Sequence, residues 1–95
     1  MPKGYLIASV TVTDPAQYAE YSKAASVAIQ KFGGKPLVRG GPCETVEGEG
    51  RMRNVVLEFP DFATVRAYYF SPEYQAAIKL REAAGIASIT IVEGA

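Results

Sequence analysis

Along Asn54-Val55-Val56-Leu57-Glu58-Phe59, polar and apolar positions fall as a strand would place them. Val55, Leu57 and Phe59 share one face; Asn54, Val56 and Glu58 share the other. A carboxylate amid so much apolar chain is costly if dry and unpaired. The second face is therefore a cavity wall, a subunit interface or an ion-pair platform. The same split recurs from Tyr5 to Val12, where Leu6, Ala8, Val10 and Val12 oppose Tyr5, Ile7, Ser9 and Thr11. It recurs again from Ile86 to Glu93, where Ala87, Ile89 and Ile91 oppose Ile86, Ser88, Thr90 and Val92. Each strand carries one all-apolar set and one mixed set, and neither resembles a simple solvated face. Two covered faces imply a second layer, and another copy of the chain is its obvious source.

Between these strands the period lengthens to that of a helix. Asp14 is a good N-cap, Pro15 suits the first helical position, and Gln17 stands where a capping-box partner belongs. Tyr18, Tyr21, Ala25, Ala28, Ile29 and Phe32 then form one apolar stripe, which Gly33-Gly34 ends. A short strand through Leu37-Val38-Arg39 meets a bend at Gly40-Gly41-Pro42, which marks an edge. Glu44-Thr45-Val46-Glu47 is expected to continue that edge, Gly48-Glu49-Gly50 to turn, and Met52–Phe59 to return antiparallel. Asp61 caps a further helix with Phe62, Val65, Arg66 and Tyr69 on one side. Ser71-Pro72-Glu73-Tyr74 restarts it, Tyr74, Ala77, Ile78 and Arg81 share a face, and Gly85 closes it. The order βαββαβ predicts an α+β, ferredoxin-like fold: a four-stranded antiparallel sheet with the helices on one side.

Length changes the picture in one respect. A chain of 95 residues with 48% hydrophobic content is expected to form one domain, residues 1–95, near the lower limit for a self-sufficient core. With one sheet face uncovered, a homodimer is the default. Ten basic and ten acidic side chains cancel, and no basic stripe appears. Nucleic acid and anionic membrane are poor partners for such a surface. No apolar run approaches a membrane span, Met1-Pro2-Lys3-Gly4 begins no signal-type apolar region, and Cys43 is alone. The expectation is a cytoplasmic protein with an incidental thiol.

Several segments, taken together and in order, resemble one family. They are Leu37-Val38-Arg39-Gly40-Gly41-Pro42, Val46-Glu47-Gly48, Leu57-Glu58-Phe59-Pro60, Ser71-Pro72-Glu73-Tyr74-Gln75 and Val92-Glu93-Gly94. The resemblance is to the domain-of-unknown-function family numbered thirteen-thirty, within the dimeric α/β-barrel superfamily, and it spans nearly the whole chain. It implies a homodimer whose two sheets face each other as a barrel, with helices outside. Relatives elsewhere in that superfamily include cofactor-free monooxygenases, haem-handling enzymes, muconolactone isomerases and stress-responsive binding proteins, commonly with pockets between sheet and helices. Fold analogy therefore supplies a list of activities and selects none.

The residues narrow the chemistry. There is no histidine, which removes Ser-His-Asp and Cys-His arrangements and a histidine ligand for haem. One cysteine without histidine offers no soft-metal ligand set, and no glycine cluster makes a nucleotide fingerprint. Neither metal nor cofactor is expected. Carboxylate, arginine and tyrosine remain. Glu58 is the leading general base, because burial moves a carboxylate toward the range a base needs; otherwise it is half of a structural ion pair. Arg39 either forks onto a substrate carboxylate or pairs with Glu58 across the ladder. Arg81 either snorkels outward or directs its charge into a pocket. Tyr18, Tyr21, Tyr69 and Tyr74 pack as core or line a pocket for a flat, mostly apolar molecule. Two functions follow: a cofactor-free isomerase or monooxygenase acting on a small organic ligand, or a non-catalytic binding or interaction module with Glu58 and Arg39 paired.

Overall fold

Each helix begins where a side-chain oxygen can satisfy an amide that the helix itself leaves unpaired. The computed structural model describes residues 2–95. In it, Asp14 accepts from the Gln17 amide at 3.2 Å and opens α1 (Pro15–Lys31). Asp61 accepts from the Thr64 amide at 2.7 Å and the Thr64 hydroxyl at 2.6 Å, opening α2 (Phe62–Tyr69). Ser71 is buried; it accepts from the Tyr74 amide at 3.1 Å and donates to the Tyr68 carbonyl at 2.7 Å. One hydroxyl thus ends α2 and starts α3 (Pro72–Glu82). Gly33, at φ 72°, turns the chain out of α1 in the left-handed conformation that glycine accepts without strain.

The strands are β1 (Gly4–Val12), β2 (Lys35–Arg39), β3 (Arg53–Phe59) and β4 (Gly85–Glu93). They form one antiparallel sheet in the order β2-β3-β1-β4, so the fold is the ferredoxin-like βαββαβ, its second helical segment divided into α2 and α3. The register sets Tyr5 opposite Glu58 and Leu6 opposite Leu57. Leu6, Ala8, Val10, Leu57 and Phe59 are buried against Ala25, Ala28, Val65, Tyr68, Tyr74 and Ala77 of the helices. The mixed sets lie on the opposite face, where Ile7, Val38, Ile86 and Val92 are exposed. Among the described residues, no helix is long and apolar enough to cross a membrane.

Two expectations need correction. Glu44-Thr45-Val46-Glu47 adds no strand; it lies in an exposed connection between β2 and β3. The bend at Gly40 is present, with φ 69°, and a further irregularity in β2 falls between Pro36 and Val38. On α2 the buried positions are Val65 and Tyr68, while Arg66 is exposed, with its guanidinium 5.0 Å from the Phe70 ring centroid. Spacing from Phe62 runs through Val65 to Tyr68 as readily as to Tyr69, and the sheet below selects the former.

Replacement of Ser71 by Ala should lower stability by about 1–2 kcal/mol, since a cap and a buried partner of Tyr68 are lost together. Urea unfolding at neutral pH measures this, and a change below a few tenths of that value would show that the hydroxyl does not join the two helices.

Candidate functional site

On α1, positions separated by three and four residues carry Tyr18, Tyr21, Ser22, Ala25, Ser26 and Ile29 along one side. That side faces a cavity of about 50 Å³, floored by Leu6, Ala8, Val10, Val55 and Leu57 of the sheet. Tyr68 and Tyr74 close one end, and Arg39 and Arg53 stand at another. A broader cleft of about 500 Å³ adjoins it. Tyr18, Ser22, Ser26, Arg39 and Arg53 belong to the walls of both and so form the mouth.

The hydroxyls here are ordered by arginines. Arg53 donates from Nε to the Tyr18 hydroxyl at 3.2 Å, with its guanidinium 5.2 Å from that ring's centroid. Arg81 donates from Nη1 to the Tyr74 hydroxyl at 3.0 Å and lies 5.4 Å from the Tyr21 centroid. The Tyr21 and Tyr74 hydroxyls are 2.8 Å apart, joined by a hydrogen bond in which either can donate. A guanidinium only donates, so Tyr18 and Tyr74 accept, and their own protons are left to donate elsewhere. When Tyr74 donates to Tyr21, the Tyr21 proton is in turn left for a further acceptor. At the rim, Arg39 donates to the Ser26 hydroxyl at 3.0 Å, and Ser26 donates to the Ser22 carbonyl at 2.8 Å.

Of the residues singled out from sequence, Tyr18, Tyr21, Tyr74 and Arg39 meet at this cavity. Arg81 does not line it but anchors the Tyr74 hydroxyl from behind, which is neither snorkelling nor direct access. Tyr69 packs 5.4 Å from the Tyr74 ring centroid and lines a separate groove with Arg66 and Phe70. Glu58 is not brought to the cavity. It lies on the opposite sheet face and accepts from the Tyr5 hydroxyl at 2.9 Å. No Arg39–Glu58 ion pair forms: Arg39 stands opposite Val55 on the helix side, with Lys35 opposite Glu58. The antiparallel register already sets Lys35, not Arg39, against Glu58, and the irregularity between Pro36 and Val38 turns Arg39 to the helix side. Arg53, Tyr68, Ser22 and Ser26 were not anticipated. The period-two pattern did place Arg53 with Val55 and Leu57, but the run of apolar residues hid it. Ser22 and Ser26 lie one residue after Tyr21 and Ala25, and only the position of the sheet shows that the stripe extends to them.

The chain matches the family described as a domain of unknown function (DUF1330) over residues 3–95. It belongs to the DUF1330 family. Among solved structures, it is similar to the RPA0582 protein of unknown function from Rhodopseudomonas palustris, with TM-score 0.80 and 18% identity over 99% of this chain and 83% of that one. A dimeric ferredoxin-like protein of unknown function from Bacteroides fragilis superposes with TM-score 0.64 at 16% identity, covering 96% and 95%. SnoaB, a cofactor-independent oxygenase from Streptomyces nogalater, superposes with TM-score 0.63 at 12% identity, covering 97% and 92%. At these identities the likeness is one of fold. No curated protein matches in sequence.

In this DUF1330 protein, burial is what raises the Tyr68 and Tyr74 phenols well above the ordinary tyrosine range. Burial raises Tyr18 as well, against the opposing donation from Arg53. Burial works against the Arg81 charge, but the hydroxyls of Tyr74 and Tyr21 outweigh it and hold the group above its usual value. These phenols are therefore neutral near pH 7: hydrogen-bond donors and acceptors, not bases. Among the described residues, no carboxylate lines the cavity. A phenol with a raised folded-state pKa adds stability below its unfolded value and loses it as pH rises through the folded one. Stability should therefore fall above about pH 10, and less steeply in Tyr68→Phe than in wild type. Unfolding midpoints across pH 8–12 test this; equal slopes would mean the Tyr68 hydroxyl titrates as it does in the open chain.

Proposed function

We propose that this protein is a homodimeric α/β barrel, one domain over residues 1–95, that holds a small, flat organic ligand between α1 and the sheet. The observation that carries the reading is the cavity itself, apolar at its floor and edged by phenols that arginines have oriented. Ligand sites are typically concave, mostly apolar spaces of about 300–1,000 Å³ with a few convergent polar groups; the adjoining cleft of about 500 Å³ supplies the room that the inner cavity of about 50 Å³ lacks. If chemistry occurs there, the equipment suits a substrate that supplies its own anion. Neutral phenols would stabilise a developing enolate or phenolate by hydrogen bonding. A cofactor-free oxygenase or isomerase could work that way, and the superposition on SnoaB is compatible with the first. General-base catalysis by Glu58 on a ligand in this cavity is not supported, since Glu58 lies across the sheet.

The open sheet face supports the dimer. Ile7, Val38, Ile86 and Val92 are each more than 40% exposed on it, a grouping that a second sheet would cover. Tyr5 and Glu58 supply a paired polar element within that surface. The Bacteroides fragilis neighbour is described as dimeric. Light scattering at micromolar concentration should therefore give twice the 10.2 kDa chain mass. A monomer mass would remove the barrel.

The cavity has its own test. With 2-naphthamide as a neutral aromatic probe, titration calorimetry should detect binding by wild type and by Glu58→Gln alike. Ser22→Leu, which adds bulk at a wall shared by the inner cavity and the cleft, should abolish it while retaining the dimer. Binding that survives in Ser22→Leu would place the probe elsewhere.

A further inference from the structure

Arg39 and Arg53 carry more than the fold needs of them. Both line the inner cavity and the outer cleft, and both are free of ion pairs. The ion pairs among the described residues are Lys23–Glu20 and Lys31–Glu73. Each of the two arginines makes one side-chain hydrogen bond, Arg39 to Ser26 and Arg53 to Tyr18. A guanidinium has five N–H donors in a planar fork, so most of this capacity is unspent. Lys23, which also lines the cleft, is paired with Glu20, and among the described residues no Asp or Glu lines either space. In a chain whose charges otherwise cancel, that is a local excess of positive charge over an apolar interior.

Backbone geometry preserves the arrangement. Gly40 adopts φ 69° where β2 ends, and a side chain there would collide with the Arg53 guanidinium. The Gly40 amide donates to the Asn54 carbonyl at 2.8 Å, which holds this end of β2 beside β3. The two arginines therefore come from adjacent strands and line one opening, beside Ser26 and Tyr18.

We propose that the cavity mouth is an anion-recognition site, and that the ligand is a flat organic carboxylate whose charged end meets Arg39 and Arg53 while its apolar body lies in the cleft along Val12, Tyr18 and Ala19, one edge at the inner cavity. Planar guanidinium forks match a carboxylate bidentately, and such charge-assisted bonds are stronger than neutral ones. Apolar walls beyond the mouth favour a hydrocarbon body over a second charge. This assignment rests on the cavity reading above and adds the class of its ligand.

The experiment compares 2-naphthoate with 2-naphthamide, which share a body and differ in charge. Wild type should bind the carboxylate about tenfold or more tightly than the amide. Added salt should narrow that preference. In Arg53→Gln and in Arg39→Gln, the preference should fall toward unity while amide affinity stays within about twofold, and Arg66→Gln should leave both unchanged. Arg39 is exposed on an edge strand, so its variant tests the site even if Arg53→Gln folds poorly. Equal binding of the two probes by wild type, or a preference unaltered in Arg39→Gln, would overturn the anion site and leave the cavity standing. Failure of 2-naphthamide to bind wild type at millimolar concentration would overturn the cavity, and the anion site with it.

Discussion

The site depends on one packing constraint: large aromatic rings at one end of α1's inner face and alanines along the rest. Tyr68 and Tyr74 stack with centroids 4.7 Å apart and are almost wholly buried. Tyr21 meets Tyr74 edge-on at 6.3 Å, and Tyr18 meets Tyr21 at 5.2 Å. These rings link all three helices, since Tyr18 and Tyr21 come from α1, Tyr68 from α2 and Tyr74 from α3. While α2 lies directly on β1, β3 and β4, the main helical neighbour of α1 is α3. Ala25 and Ala28 then present little bulk to the sheet, and space remains where leucines would have filled it.

The ring cluster also determines what the space can do. Phenols in a desolvated cluster stay protonated, and arginines behind or beside them consume the acceptor side of two hydroxyls. The result is a wall of oriented donors without a base. Such a wall recognises or stabilises negative charge on a ligand; it does not create that charge by taking a proton. Glu58, the one carboxylate within the strands' apolar runs, is held out of this chemistry by the strand period. The same hydrogen bond raises the pKa of its partner, the Tyr5 phenol.

Two sheet faces thus carry two tasks. The apolar set packs beneath the helices and floors the cavity; the mixed set presents aliphatics and one hydroxyl–carboxylate pair on the open face. The fold is shared with a dimeric protein of unknown function and with a cofactor-independent oxygenase at 12–16% identity. Such breadth means that the scaffold selects no reaction. The distinguishing side chains stand instead at the mouth, where strands β2 and β3 and helix α1 bring them together.

Strand alternation, the three caps at Asp14, Asp61 and Ser71, and the α1 stripe were legible directly, because each arises from neighbours within about one turn or one pleat. Four of the site residues, Tyr18, Tyr21, Tyr74 and Arg39, could be chosen for the same reason: they stand on element faces that must turn inward or at a strand end. What local pattern could not supply was pairing across elements. The register of β2 on β3 put Arg39 beside Val55 and away from Glu58, and Arg53 gained its role only when Tyr18 arrived from α1. The sequence alone determined the elements, their order and the two-faced sheet, since these follow from periodicity and capping. Tertiary structure decided which charges meet, because a shift of one residue in register exchanges every neighbour across a strand.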